Sequence, residues 1–259
     1  MPKISVVIIT LNEEGNIGRC IDSVKGVADE VVVVDSYSTD ATEEICKQKG
    51  ARFIQNRFAD YVDQHRFADQ QARHDIILTL DADEALSEEL AASILEVKND
   101  WQYDGYRMNR LTNYCGKWIR HSGWYPDTKL RLYDRKKGSW HGMRIHERYV
   151  LEKGNEAGFL KGDILHFSYV SVSDHVLQAN KFTDITALAA YEQGKRSGIC
   201  RILLSPVVKF LRDYFLNLGF MDGYYGFLVC QISANATFLK YVKLRELHKR
   251  KLLPAKDGS

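Results

Sequence analysis

Hydrophobic positions follow two rhythms along the first hundred residues of this 259-residue chain. Ile4 to Ile9, Val31 to Val34 and Ile76 to Leu80 are nearly unbroken aliphatic runs. Each is short and bounded by polar residues, as expected of strands buried on both faces. Helical spacing lies between them. Ile17, Ile21 and Val24 share one face, with Asn12 placed to cap their helix. Ser38-Thr39-Asp40 opens a second helix holding Ile45 and Cys46, residues 63–73 form a third, and Ser87-Glu88-Glu89 begins a fourth. Arg52-Phe53-Ile54 adds a short strand. This alternation predicts an α/β fold: a Rossmann-like, mainly parallel sheet with helices on both faces.

From Asp104 to about His166 the helical period is lost. Tyr106 to Arg110 and Lys129 to Tyr133 alternate like half-exposed antiparallel strands, a mixed continuation of the same sheet. From Ser171 the chain reads as helices over 171–193, 199–217 and 223–247. Gly223 to Leu239 carries no charge for 17 residues, short of the ~20 apolar residues a membrane span needs. The 199–217 helix is amphipathic, with Arg201, Lys209 and Arg212 near bulky Leu and Phe, and Lys243, Arg245, Lys249, Arg250 and Lys251 make the far end basic. Two readings of 199–251 stand side by side: peripheral contact with a membrane surface, and packing against the rest of the chain or a second copy in a homodimer. The expected division is a domain over 1–170 and a helical extension over 171–259.

Composition is ordinary for a globular protein, with 45% hydrophobic and 27% charged residues. A net charge of +2 supplies no field for nucleic acid, and none is expected as a partner. Five cysteines at wide, irregular spacing point to reduced thiols and a cytoplasmic setting. The start runs directly into a strand, without the core of a signal peptide.

In open α/β sheets, ligands gather beyond the carboxyl ends of the strands. Three such ends here are polar: Thr10-Leu11-Asn12-Glu13, Asp35-Ser36 and Asp81-Ala82-Asp83. Any one alone also reads as ordinary helix capping. Asp81 and Asp83 offer anionic oxygens to a hard cation, Mg²⁺ or Mn²⁺, of the kind that bridges carboxylates to phosphates. Asp83 is the expected direct ligand, and Asp81 is expected on a ribose or a metal-bound water.

Val6 to Glu14 resembles the opening strand and loop of glycosyltransferase family 2, Val34 to Thr42 resembles its acidic second loop, and Leu80 to Glu84 resembles its metal motif. Gly123 to Asp127, Arg131-Leu132-Tyr133, His146-Glu147 and Leu165 to Tyr169 are similar to the subgroup containing lipopolysaccharide-core glucosyltransferases. The resemblance covers about residues 3–170. It implies a GT-A fold, a nucleotide-sugar donor (UDP-linked by analogy), a divalent metal, inversion at the anomeric carbon, and a lipid-linked or saccharide acceptor. Carried over by position, Thr10, Leu11, Asn12 and Glu13 line the nucleotide, Asp35 reads the base, and Arg66 stacks near it, with Arg73 as the alternative. Asp81 and Asp83 meet the diphosphate and metal, and His166 either completes the metal sphere or is a core histidine. An inverting enzyme needs a general base. Glu147 is the first candidate and Asp127 the second, and an ordinary surface ion pair of Glu147 with Arg144 or Arg148 is the bland alternative.

Aromatic residues crowd 101–149, and Trp124 and Tyr125 beside Pro126 read either as a platform for a sugar ring or as core. Arg107, Arg110, Lys117, Arg120, Lys129 and Arg131 would suit an acceptor carrying phosphate or carboxylate. Two alternatives remain: a sugar-nucleotidyltransferase, disfavoured by the acids in the Thr10–Gly15 loop, and a non-catalytic protein keeping the fold. A nucleotide-dependent dehydrogenase is excluded, because no G-x-G-x-x-G follows the first strand.

Overall fold

The computed structural model describes residues 1–142 and 147–252, which divide into two compact units. His146 and Arg144 lie outside the described residues, as do the side chains of Arg250 and Lys251.

The first unit comprises residues 1–112 and 126–168. It opens with β1 (Ile4–Thr10), α1 (Ile17–Val24), β2 (Glu30–Asp35), α2 (Thr42–Gln48), β3 (Arg52–Gln55), α3 (Tyr61–Gln71) and β4 (Ile76–Asp81). Then come β5 (Glu84–Leu86), α4 (Glu88–Asn99) and β6 (Gly105–Tyr114), whose last two residues belong to the second unit with β7 (Lys117–Ile119). The chain returns through β8 (Asp127–Asp134), β9 (Gly138–His141), β10 (Arg148–Leu151) and β11 (Ala157–Tyr169). The main sheet runs β3-β2-β1-β4-β8-β6-β11-β5, and β9 pairs with β10 in a separate ribbon. Strands β1 to β4 are mutually parallel, whereas β8 joins β4 and β6 antiparallel, and β5 joins β11 the same way.

Side-chain alternation splits the apolar strands between two cores. Val6, Ile8, Val33, Leu78 and Leu80 face α1, α2 and α4, packing with Ile17, Ile21, Cys46, Leu90 and Ile94. Val7, Ile9, Val32, Val34 and Ile77 face the other way, with Val62 and Ala68 of α3 and the rings of Tyr133, Trp140 and Tyr149. The predicted helices and strands are present here, with one local difference. Asn12 does not cap α1; Asn16 occupies that position without a side-chain cap bond, and Asn12 sits at φ 53° in the loop above.

The second unit holds residues 113–125 and 169–252 of the described chain. Its helices are α5 (Val172–Glu192), α6 (Ile199–Leu211) and α7 (Gly223–Leu252). Ser171 and Asp174 form a capping box at the start of α5. The predicted 199–217 helix stops at Leu211 and passes into a π-helical turn, Arg212–Leu216, around the buried Asp213; a 3-10 turn, Gly219–Asp222, follows. Helix α7 packs along both α5 and α6. Trp124 is in the packing of this unit, with its ring against Tyr114, Tyr169 and His175, which favours the core reading of that side chain.

Within the second core of the first unit, Asp69 is buried among the rings. It accepts hydrogen bonds from the Tyr133 hydroxyl at 3.0 Å and from Trp140 Nε1 at 2.9 Å. Burial outweighs these bonds and pushes its carboxyl up to about 7. The folded state therefore keeps this proton to higher pH than the unfolded chain, whose aspartates titrate at about 4. The stability it contributes is complete below that value and is lost as pH rises through about 7. Measured against Asp69→Asn, the urea midpoint of the wild type is expected to fall between about pH 4 and about pH 7 and to level off above. A constant difference across that window would show that Asp69 titrates normally.

Candidate active site

Register places the polar strand ends side by side. Thr10 lies opposite Asp35 on β2, and Ile9 lies opposite Asp81 on β4. The loops after β1 and β2 are then laced together. Asn12 N–H donates to Ser38 Oγ at 2.7 Å, and the Asn12 side chain accepts from Thr39 N–H at 2.8 Å. Glu13 N–H donates to Thr42 Oγ1 at 2.9 Å, and Glu14 N–H to Asp40 at 3.0 Å. Asp35 is fully buried; it accepts from Ser38 N–H at 2.8 Å and from the Ser38 hydroxyl. Thr10 Oγ1 is buried with no hydrogen-bond partner, while Leu11 is half exposed. From α3, Gln64 donates to Ser36 Oγ at 3.1 Å and accepts from Asn56 at 2.8 Å. Neither Gln64 nor Asn56 stood out in the sequence, and both would have been visible only as amides near a predicted strand end.

The two motif carboxylates have different surroundings. Asp81 Oδ2 accepts from Arg131 at 2.9 Å, and Oδ1 lies 4.0 Å from Nε2 of the buried His65. Burial alone would raise the Asp81 carboxyl, but Arg131, His65 and Arg110 outweigh it and hold it well below the usual range. Glu84, fully buried, accepts from Asp81 N–H at 3.0 Å, from Arg110 at 3.2 Å and from Arg131 at 3.3 Å. Burial would lower the Arg131 guanidinium, yet Glu84 and Asp81 raise it far above its ordinary value. His65, stacked on Trp140 with ring centroids 3.9 Å apart, is pushed down to about 3 by burial, so it is neutral beside Asp81.

Asp83 is free of these arginines. Its Oδ2 lies 3.1 Å from His166 Nε2, and its carbonyl accepts from Phe167 N–H at 2.8 Å. Antiparallel pairing of β5 with β11, His166 opposite Glu84, carries the histidine there. Burial raises the Glu13 carboxyl, the Asn16 hydrogen bond opposes this, and the charges of Asp83 and His166 also reach it. Among the described residues, no three His, Cys, Asp or Glu side chains converge as a metal cage. Asp83 and His166 nevertheless fit a cation that arrives with its phosphates. Mg²⁺ in particular is commonly held by one or two carboxylates, with waters and substrate phosphates completing the sphere.

The remaining candidates are spread more widely. Glu147 is half-buried, and its charge is felt at Arg131 and at Tyr61, where burial first, then Asp81, Glu147 and Asp83 raise the hydroxyl. Asp127 is clamped by Arg110 at 2.8 Å and Lys129 at 2.9 Å. Although burial opposes them, these cations keep its carboxyl below the usual range. Arg66 donates to the Trp140 carbonyl at 2.9 Å. Arg73 pairs with Glu30 at the opposite end of β2 from Asp35, so it is remote from the nucleotide edge. A cavity of about 1200 Å³ is lined by Arg107, Lys129, Trp140, Glu147 and Arg148. Of the six cations expected to meet an acceptor anion, Arg110, Lys129 and Arg131 are tied to carboxylates, and Lys117 and Arg120 belong to the second unit.

Residues 5–154 match the family described as Glycosyl transferase family 2. An uncharacterised glycosyltransferase of Rickettsia typhi is 36% identical over 258 residues, covering 95% of this chain and 88% of that protein. The lipopolysaccharide core biosynthesis glycosyltransferase LpsC of Rhizobium meliloti is 31% identical over 270 residues, covering 100% and 98%. Among solved structures, glucosyl-3-phosphoglycerate synthase from Mycobacterium tuberculosis, in complex with Mn²⁺, UDP and glucosyl-3-phosphoglycerate, aligns with a TM-score of 0.37 and 25% identity over 43% of this chain and 44% of that one. The sheet described above, parallel at the polar edge and antiparallel beyond it, has the GT-A arrangement expected from the sequence. By the extent of the family match and the full-length likeness to its relatives, the chain belongs to glycosyl transferase family 2 and is a glycosyltransferase.

Proposed function

We propose that this enzyme moves a hexose from a UDP-linked donor to a saccharide acceptor of the lipopolysaccharide-core class, inverting the anomeric carbon in one displacement. The observation that carries the reading is the Asp83–His166 pair, set at the same sheet edge as the laced Asn12 and Asp35 loops. The full-length likeness to LpsC supports the acceptor class. Asp35 fixes the loop through Ser38, and Ser38 and Thr42 hold the Asn12 and Glu13 amides, leaving the Thr10 hydroxyl and the half-exposed Leu11 to meet the nucleoside. Asp83 and His166 would hold Mg²⁺ or Mn²⁺, which when bound offsets the charge of the departing diphosphate. Asp81, anchored by Arg131, is positioned for the ribose.

Glu147 serves as the general base. It takes the proton of the acceptor hydroxyl as that oxygen attacks the anomeric carbon, while the bond to the diphosphate oxygen breaks and its electron pair leaves with UDP. Asp127 is the weaker candidate, because Arg110 and Lys129 already stabilise its charged form and reduce its pull on a proton. Arg107 and Arg148 make no ion pair among the described residues and line the same cavity as Glu147, which suits an acceptor bearing phosphate.

Release of UDP from a UDP-hexose and a core-saccharide acceptor, followed with Mn²⁺ present, tests the reading. Asp83→Asn is expected to lower turnover by about 100-fold or more, as loss of a group that stabilises transition-state charge commonly does; turnover at the wild-type level would refute the assignment. The ion cluster behind the site makes a separate prediction about folding. Glu84→Gln leaves two mostly buried guanidiniums short of an anion and should cost about 3 kcal/mol or more in urea unfolding. Asp127→Asn, at a more exposed pair, should cost about 1 kcal/mol or less.

A further inference from the structure

Helix α6 turns its smaller face inward and its larger apolar face outward. Ile202 is its buried residue, on the side that packs with α7. Ile199, Leu203, Leu204, Val207, Val208 and Leu211 each keep 48–62% of their surface exposed. At 3.6 residues per turn these six fill one continuous arc of roughly 180°. Arg201 and Arg212 fall within about 40° of its margin, with the Arg201 guanidinium 5.4 Å from the centre of the Tyr241 ring and the Arg212 guanidinium 3.0 Å from Asp213. The apolar exposure continues through Phe215 and Leu216 of the π-helical turn and Phe220 and Met221 of the 3-10 turn. An exposed apolar surface of this extent marks an interaction face.

Charge selects the partner. Residues 194–221 contain five cations, Lys195, Arg196, Arg201, Lys209 and Arg212, and a single acid, Asp213. Asp213 is 2% exposed and already paired with Lys209 and with Arg212 at 3.0 Å. The segment thus presents apolar side chains rimmed by cations, without an exposed acid. A self-complementary contact with a second copy would bring two cationic rims together with nothing of opposite sign between them. A bilayer carrying anionic headgroups supplies both hydrocarbon and negative charge. No helix among the described residues is long and apolar enough to cross a membrane, so the geometry is that of an element lying in the interface.

We propose that α6 and the two turns after it are the membrane-docking element of this protein, seated in the interface of an anionic bilayer with Leu204 and Val208 in the acyl boundary and Arg201 and Arg212 at the headgroups. This inference is independent of the transfer reaction, and its test reads binding alone. The full chain is sedimented with vesicles of phosphatidylcholine, with and without phosphatidylglycerol, at low salt and at about 0.5 M salt, where charge is screened within about 4 Å. Expected are binding to the anionic vesicles, at least tenfold weaker binding to the neutral ones, and a clear loss at high salt. The double variant Leu204→Glu/Val208→Glu changes exposed positions only, so its melting temperature should match the wild type while anionic-vesicle binding falls at least tenfold. Wild-type protein that ignores anionic vesicles, or a double variant that binds them as the wild type does, overturns the proposal. So does a wild-type dimer in sedimentation velocity that the double variant converts to monomer without any vesicle binding, since the face would then belong to a second copy.

Discussion

The guanidinium of Arg131 organises the first unit, because a cation so deeply buried persists only where anions surround it. Arg131 lies on β8, the first antiparallel strand beside the parallel set, and its partners Asp81 and Glu84 lie at the end of β4 and the start of β5. The ion cluster therefore ties the antiparallel half of the sheet to the edge where the polar strand ends meet. Desolvating a guanidinium costs several kcal/mol, which one carboxylate in fixed geometry hardly offsets. Here Glu84 is shared with Arg110, and Asp127 completes a balanced set of Asp81, Glu84 and Asp127 against Arg110, Arg131 and Lys129. Asp81 is thereby committed to the fold. Asp83 lies at the same edge outside that cluster, with His166 as its side-chain neighbour, and the proposed reaction draws on it for that reason.

His166 reaches Asp83 across a long stretch of chain through a three-residue strand. Strand β5 is short and would be marginal alone, but its pairing with β11 aligns His166 with Glu84 and closes the Phe167 N–H onto the Asp83 carbonyl. Backbone hydrogen bonds thus set the distance between the two side chains. Such a pair needs no induced movement to be within reach of one ion, and the position is as rigid as the sheet that carries it.

The strands, their parallel order and the convergence of Thr10, Asp35 and Asp81 were legible in the sequence because period and topology are local properties with a global consequence. Side-chain partners were not. Arg131 read as a cation for an acceptor, yet its two acids arrive from positions 47 and 50 residues away. Asn12 read as a cap for α1, but the loop bearing Ser38 and Thr39 competes for its side chain and backbone. The aromatic cluster was similarly ambiguous. Trp140 is stacked on His65 and donates to Asp69, while Trp124 packs among Tyr114, Tyr169 and His175. A ring that buries its face and satisfies its N–H cannot be told from a sugar platform by spacing alone, since both need the same residue types.

A net charge of +2 conceals how unevenly charge is distributed. In the first unit, cations near the site are mostly consumed by carboxylates within about 3 Å, so their effect is local and the remaining field is set by a few side chains. In the second unit, the cations beside α6 have one acid among them, and it is buried. Screening in salt limits an exposed charge to about 8 Å. At that range an interface responds to its own segment and not to the total. The same number of arginines can therefore hold a buried cluster in one unit and rim an apolar face in the other. What separates the two outcomes is whether the fold delivers an acid to each guanidinium: β4, β5 and β8 do so around Asp81 and Glu84, whereas among the described residues no acid pairs with Arg201 of α6.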